Sequence, residues 1–191
     1  MSRLAVVLTS AILLGLPSGL AAQRREARTG VWFDVGLGAG WGHVGCYICR
    51  SDRPSGLSGH LRLGGGVSKR VLIGGEAAMW RHRTSSVHQT LAALSAAAYW
   101  YPTRRTPLYL KGGLGWVTHR AEDGTNVITS TGFGPQMGIG YELPVGRMLY
   151  FAPYFNAIFG VVGGSVKFNG GDVTSSPRLT LIQLGVALTA R

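Results

Sequence analysis

Three groups of residues in this sequence carry side chains suited to chemistry. Cys46-Tyr47-Ile48-Cys49 is a C-x-x-C pair with His43 three residues before the first thiol. Such a set could close a local disulfide, work as a redox dithiol, or ligate a soft or borderline metal. A zinc site uses one more ligand than these three supply, and the strand-and-helix setting of a redox C-x-x-C is missing. A Cys46 to Cys49 disulfide is therefore the expectation, with no metal and no other cofactor assigned. The second group, His119, Glu122 and Ser130, has the residue types of a hydrolytic or acyl-transfer site but no motif that would fix their geometry. The third is basic: 19 Lys and Arg stand against 8 Asp and Glu, a formal net charge of +11. That excess points to an anionic partner, whether nucleic acid, phospholipid or lipopolysaccharide phosphate.

The start of the chain narrows the choice. Arg3 precedes the apolar run from Leu4 to Leu16, and Pro17-Ser18-Gly19-Leu20-Ala21-Ala22 supplies small residues at a cleavage point. This is the pattern of a secretory signal peptide, assigned to residues 1–22, and it is too short to span a bilayer. A short periplasmic segment, 23–30, would then precede the folded part, 31–191. Export argues against a nucleic-acid partner and places the two cysteines where a bridge persists.

The elements that must position these residues are strands. Hydrophobic residues make up 46% of the chain and charged ones 14%, yet after the leader no run of about 18 apolar residues offers a helical span. Instead the sequence alternates with period two in eight segments: 31–43, 57–67, 71–81, 90–101, 108–118, 131–143, 149–159 and 179–190. In the first, Val31, Phe33, Val35, Leu37, Ala39 and Trp41 alternate with Trp32, Asp34 and four glycines. The alanine-rich run 91–98 favours helix by propensity. It is read as a strand, because a sheet in hydrocarbon must pair every edge and an even strand count closes it. Connections 68–70, 102–107 and 144–147 are short, whereas 44–56, 83–88, 119–126 and 160–178 are mostly longer. Outer-membrane barrels alternate in this way, which puts both termini on the periplasmic side.

A soluble barrel turns its apolar face inward and its charged face to water. Here the second face holds Gly, Ser and Tyr with few charges, which suits a narrow bore instead. Asp34, His60, Arg62, Glu76, Lys111, Gln136, Glu142 and Gln183 fall on it. Charges of both signs in a low-dielectric interior must pair, so a network around Arg62, Glu76 and Lys111, with Asp34 and Gln136, is expected. Arg50, Arg53, Arg83, Arg120, Lys167 and Arg178 fall in or beside the outer loops, placed for lipopolysaccharide phosphates.

Leu108-Tyr109-Leu110-Lys111-Gly112-Gly113-Leu114-Gly115-Trp116 and the closing Gln183-Leu184-Gly185-Val186-Ala187-Leu188 resemble the small outer-membrane barrels of the outer membrane protein A and X type. The resemblance covers the whole chain after the leader. It implies an all-β, closed, eight-stranded, antiparallel, up-and-down transmembrane barrel, monomeric, inserted by the barrel assembly machinery among outer-membrane lipid and lipopolysaccharide. It also implies roles from envelope structure to adhesion and defence. The family's terminal aromatic is replaced: the last residues are Thr189-Ala190-Arg191, with Leu188 the nearest substitute. A non-enzymatic structural or surface-interaction role is the primary expectation. A lipid A-modifying enzyme and a secreted ligand-binding barrel are the alternatives.

Overall fold

Alternation with period two dictates strands whose two faces differ, and the computed structural model shows them. It describes residues 30–45, 53–84, 86–103, 106–175 and 177–191. The segments assigned to the leader, residues 1–22, and to 23–29 lie outside the described residues. So do Cys46, Cys49 and Arg50. Eight long strands build the wall: β1 (Val31–Gly45), β2 (Ser55–Ser68), β3 (Val71–Arg83), β4 (His88–Trp100), β5 (Leu108–Glu122), β6 (Val127–Tyr141), β8 (Leu149–Gly160) and β11 (Arg178–Ala190). Three short ones accompany them: β7 (Leu143–Pro144), β9 (Ser165–Phe168) and β10 (Gly171–Ser175).

Each long strand pairs antiparallel with its neighbour, and β1 pairs with β11 from Phe33 opposite Ala190 to Gly45 opposite Arg178. The sheet is thereby closed. The shortest ladder between long strands joins β6 and β8, which pair directly from Gln136 opposite Ile158 to Gly140 opposite Tyr154. Beyond it the ladder continues through a bulge: Phe133 N–H donates to Val162 O at 2.8 Å, and Phe133 O accepts from Val161 at 3.0 Å. Pro135, which has no N–H to contribute, sits between the two stretches.

β4 shows tertiary pairing overriding helix propensity. Its alanines alternate strictly between buried and exposed, because β3 and β5 supply a ladder on both sides along the whole length. The outer connection 160–178, read from the sequence as a loop, contains instead the β9–β10 hairpin. Asn169 (φ 47°) and Gly170 (φ 89°) form its two-residue turn, both in the left-handed region that such turns demand. β9 extends the wall by pairing with β6, Ile128 opposite Phe168 and Ser130 opposite Val166.

Apolar residues face out. Leu61 is 53% exposed, Leu110 39% and Ile139 41%, and these belong to a band of exposed aliphatic and aromatic side chains on the outer wall. The bore is packed in layers. Toward the long-loop end, Trp80, Leu91, Val117, Ile158, Leu179 and Leu181 form an apolar layer; toward the other end, Trp32, Leu72, Tyr99, Tyr101 and Tyr109 form a second.

Trp80, fully buried, donates from Nε1 to Gly40 O at 2.9 Å. A Cβ placed at Gly42 would come within 2.6 Å of its ring, whereas one at Gly112, on the outer wall, would meet nothing within 4 Å. Gly42→Val should therefore overpack the bore and cost about 1–3 kcal/mol, while Gly112→Ala should stay within about 0.5 kcal/mol. Urea unfolding of the folded barrel in detergent micelles measures both, and equal effects would contradict this packing.

Candidate functional site

Between the two apolar layers lies a polar one, and seven consecutive barrel strands contribute to it. Thr189 of β11 donates to Asp34 Oδ2 of β1 at 2.7 Å, and His60 Nε2 of β2 lies 2.6 Å from Asp34 Oδ1. Arg62 of β2 reaches both carboxylates, with Nη1 3.5 Å from Asp34 Oδ1 and Nε donating to Glu76 Oε2 of β3 at 2.7 Å. Lys111 of β5 donates to both Glu76 oxygens, at 2.9 and 2.8 Å, and to Gln136 Oε1 of β6 at 3.2 Å. Gln136 in turn donates to Ser95 Oγ of β4 at 2.7 Å, and Tyr99 OH donates to Glu76 Oε2 at 3.2 Å. The eighth wall strand joins through Tyr154 of β8, whose ring lies 5.5 Å from the Arg62 guanidinium.

The structure thus places Asp34, Arg62, Glu76, Lys111 and Gln136 within one connected layer, every one of them buried. Two carboxylates face one guanidinium and one ammonium, so the layer balances in charge when His60 is neutral. Reading the sequence did not single out Trp80, which fills the neighbouring apolar layer and shares the inward parity of Glu76, a signal present in the strand pattern. The closure at the short-turn end could not be read from spacing: Arg191 pairs with Glu142, Tyr101 OH donates to Glu142 Oε1 at 2.6 Å, and the Arg191 guanidinium lies 4.6 Å from the Tyr150 ring centroid.

A closed eight-stranded wall with charges inside and hydrocarbon-like side chains outside is a membrane-barrel arrangement, and solved structures share it. Neisserial surface protein A is 14% identical, covering 84% of this chain and 98% of that one, with a TM-score of 0.53. The outer membrane protein OprG from Pseudomonas aeruginosa is 11% identical, with coverage of 85% and 97% and a TM-score of 0.50. The outer membrane protein AlkL, solved in lipid bilayers, is 15% identical, with coverage of 92% and 97% and a TM-score of 0.50. This chain has the closed eight-stranded fold of these barrels. No protein-family model and no curated protein matches it.

The long connections share one end of the barrel, and the residues on that rim can be placed by the strand register. Arg53, Arg83, Arg120, Lys167 and Arg178 are all exposed there. His119 and Ser130 stand opposite each other on β5 and β6, but both point into the bore and are buried, and neither His119 Nδ1 nor Ser130 Oγ has a hydrogen-bond partner. Glu122 lies elsewhere, held by Arg120 Nε at 3.2 Å in an exposed pair. The three do not converge. His82, at the same end, has its ring nitrogens 2.7 Å from Ser55 O and 3.1 Å from Thr84 Oγ1. In the β5–β6 turn, Asp123 Oδ1 accepts from the Asn126 backbone N–H at 2.9 Å, and backbone donation from Asn126 holds its carboxyl below the usual carboxylate range.

Removing one member of a buried ionic cluster leaves the others uncompensated. Glu76→Ala strips the shared acceptor from Arg62, Tyr99 and Lys111 and should destabilise the barrel by about 3–5 kcal/mol. Adding Lys111→Met to it should cost less than the sum of the two single changes, because one orphaned cation is removed. Urea midpoints in micelles complete the cycle, and strict additivity would show that the two groups are uncoupled.

Proposed function

We propose that this chain is an outer-membrane protein, monomeric and non-enzymatic, whose role is structural and surface-interactive: envelope integrity, adhesion or defence through its outer loops. The observation that carries the reading is the inverted polarity of the wall. Leu, Ile, Val and aromatic side chains are exposed around the outside, while Asp34, Arg62, Glu76 and Lys111 are buried within. Such a surface is compatible with hydrocarbon and incompatible with water. Trp116 and Phe133 near the outer end, and Trp100 and Tyr141 near the inner one, are exposed aromatics at the two heights where membrane interfaces would fall.

Residues 1–22 act in this reading as the cleaved signal, 23–30 as a short periplasmic segment and 31–191 as the barrel, delivered to the membrane by the barrel assembly machinery. Cys46 and Cys49 form a disulfide in the first outer loop. Arg50, Arg53, Arg83, Arg120, Lys167 and Arg178 meet lipopolysaccharide phosphates. The polar layer acts as a plug, since an eight-stranded bore has space only for side chains. Chemistry at the rim has less support, because His119 and Ser130 face the bore and Glu122 does not.

Topology and plugging can be tested together. An epitope inserted at Gly124 should be labelled on intact cells, and one at Lys69 only after permeabilisation. The unboiled protein should migrate differently from the boiled one on a gel, and planar bilayers should show no conductance steps. Labelling at Lys69 on intact cells, or a soluble periplasmic product, would overturn the reading.

A further inference from the structure

On the outer wall the register sorts residues into rows, and one row near the outer end alternates cations with hydroxyls. Arg81 of β3 stands opposite Thr90 of β4, Thr90 opposite Arg120 of β5, Arg120 opposite Thr129 of β6, and Thr129 opposite Lys167 of β9. All five share the outward parity and none is buried. Alternate strands lie about 10 Å apart, so three cations stand at that interval along one inclined row with a hydroxyl in each gap. Arg120 Nη2 is 3.2 Å from Glu122 and Lys167 Nζ 3.9 Å from Asp172, but both pairs are largely exposed. Ion pairs of that kind are weak and exchange readily for a stronger anion.

Inward of Arg81, at the β3 end of the row, the wall is hollow. Leu37, Leu61, Ala77, Met79, Ala92 and Trp116 line a groove of about 810 Å³ that crosses from β1 to β5, with Arg81 the cation of the row that borders it. The next rows inward continue it with Gly75, Ala96 and Gly112, which line a second hollow. A groove facing hydrocarbon accepts an acyl chain, and the cations above it determine which headgroup is held.

We propose that this face binds one molecule of outer-leaflet lipid A, with acyl chains in the two hollows and its phosphates on Arg81, Arg120 and Lys167. A phospholipid carries one phosphate and would leave most of the row unused. A disaccharide with a phosphate at each end spans several cations and presents sugar oxygens to Thr90 and Thr129. The inference rests on the outer-membrane reading above and specifies the lipid that meets one side of the barrel.

The test is native mass spectrometry of the full chain, extracted from outer membranes in mild detergent and challenged with bisphosphoryl lipid A, monophosphoryl lipid A and phosphatidylglycerol. The wild-type barrel should retain one bisphosphoryl lipid A. Retention should fall by roughly tenfold in the Arg81→Gln, Arg120→Gln, Lys167→Gln triple variant, the loss expected when charge-assisted contacts are removed. Ala77→Leu with Ala92→Leu should lower it comparably by filling the groove with the charges intact. The heat shift on a gel reports folding in every sample. Should the leucine pair not fold, the glutamine variant, confined to exposed side chains, decides. Folded variants that keep lipid A as the wild type does would overturn the inference, as would equal retention of phosphatidylglycerol. A heat-shifting barrel that holds no lipid A overturns this inference alone; a soluble product overturns the outer-membrane reading with it.

Discussion

Pairing of β1 with β11 is the constraint from which the remaining features follow. A backbone in hydrocarbon has no water to satisfy its N–H and C=O groups, so the sheet's last two edges must find each other. Closing with eight strands fixes a bore that only side chains can fill. The bore then decides which residues point inward, and it does so pairwise. The His60 ring lies over Gly36, Tyr109 over Gly140 and Trp80 over Gly40 and Gly42. Each large inward group occupies space that a glycine on a facing strand has left open.

Closure also explains why the middle of the bore is ionic. A buried ion pair is weak grounds for stability, since desolvation offsets most of the attraction. Its value here lies in register. Asp34, Arg62, Glu76, Ser95, Lys111 and Gln136 come from β1 to β6 in order, and Thr189 joins them across the closing seam. A slip of one residue in any strand would turn its member to the outer wall and leave the partners unpaired. An apolar layer tolerates such a slip more easily, because one aliphatic side chain can replace another.

Local alternation made the eight wall strands legible, including the alanine-rich β4, where the demand for paired edges outweighed propensity. Strand ends were less legible. β5 runs on to Glu122 and β6 starts at Val127, because the ladder continues past the point where apolar and polar residues alternate. The β9–β10 hairpin did carry a local signal in Asn169-Gly170, but its flanking strands are too short to alternate clearly. Face assignment was available for the rim as well: His119 has the inward parity of Lys111, and Glu122 the outward one. What spacing could not give was partner choice, as in His60 with Asp34 or Arg191 with Glu142, since residues far apart in the chain meet only after the barrel closes.

The small residues divide by face in a way that packing inside the chain explains only in part. On the inner face Gly36, Gly40, Gly42 and Gly140 make room for a named side chain, and Gly38, Gly64 and Gly74 for the backbone of the neighbouring strand. On the outer face, a Cβ at Gly75 would find its nearest neighbour at 3.9 Å, in Ser95 O, and one at Gly112 would find none within 4 Å. Glycine weakens a strand through its backbone entropy and its lack of a packing group, so at these positions the chain loses stability without an internal gain. The hollow they help to form lies inward of the groove that Arg81 borders, whereas Phe155, Leu184, Val186 and Leu188 present bulky side chains on the wall built by β8 and β11. The asymmetry is physical: β8 and β11 present a continuous bulky surface, whereas on β3 to β5 bulky side chains such as Leu94, Leu114 and Trp116 stand beside open space left by Gly75 and Gly112.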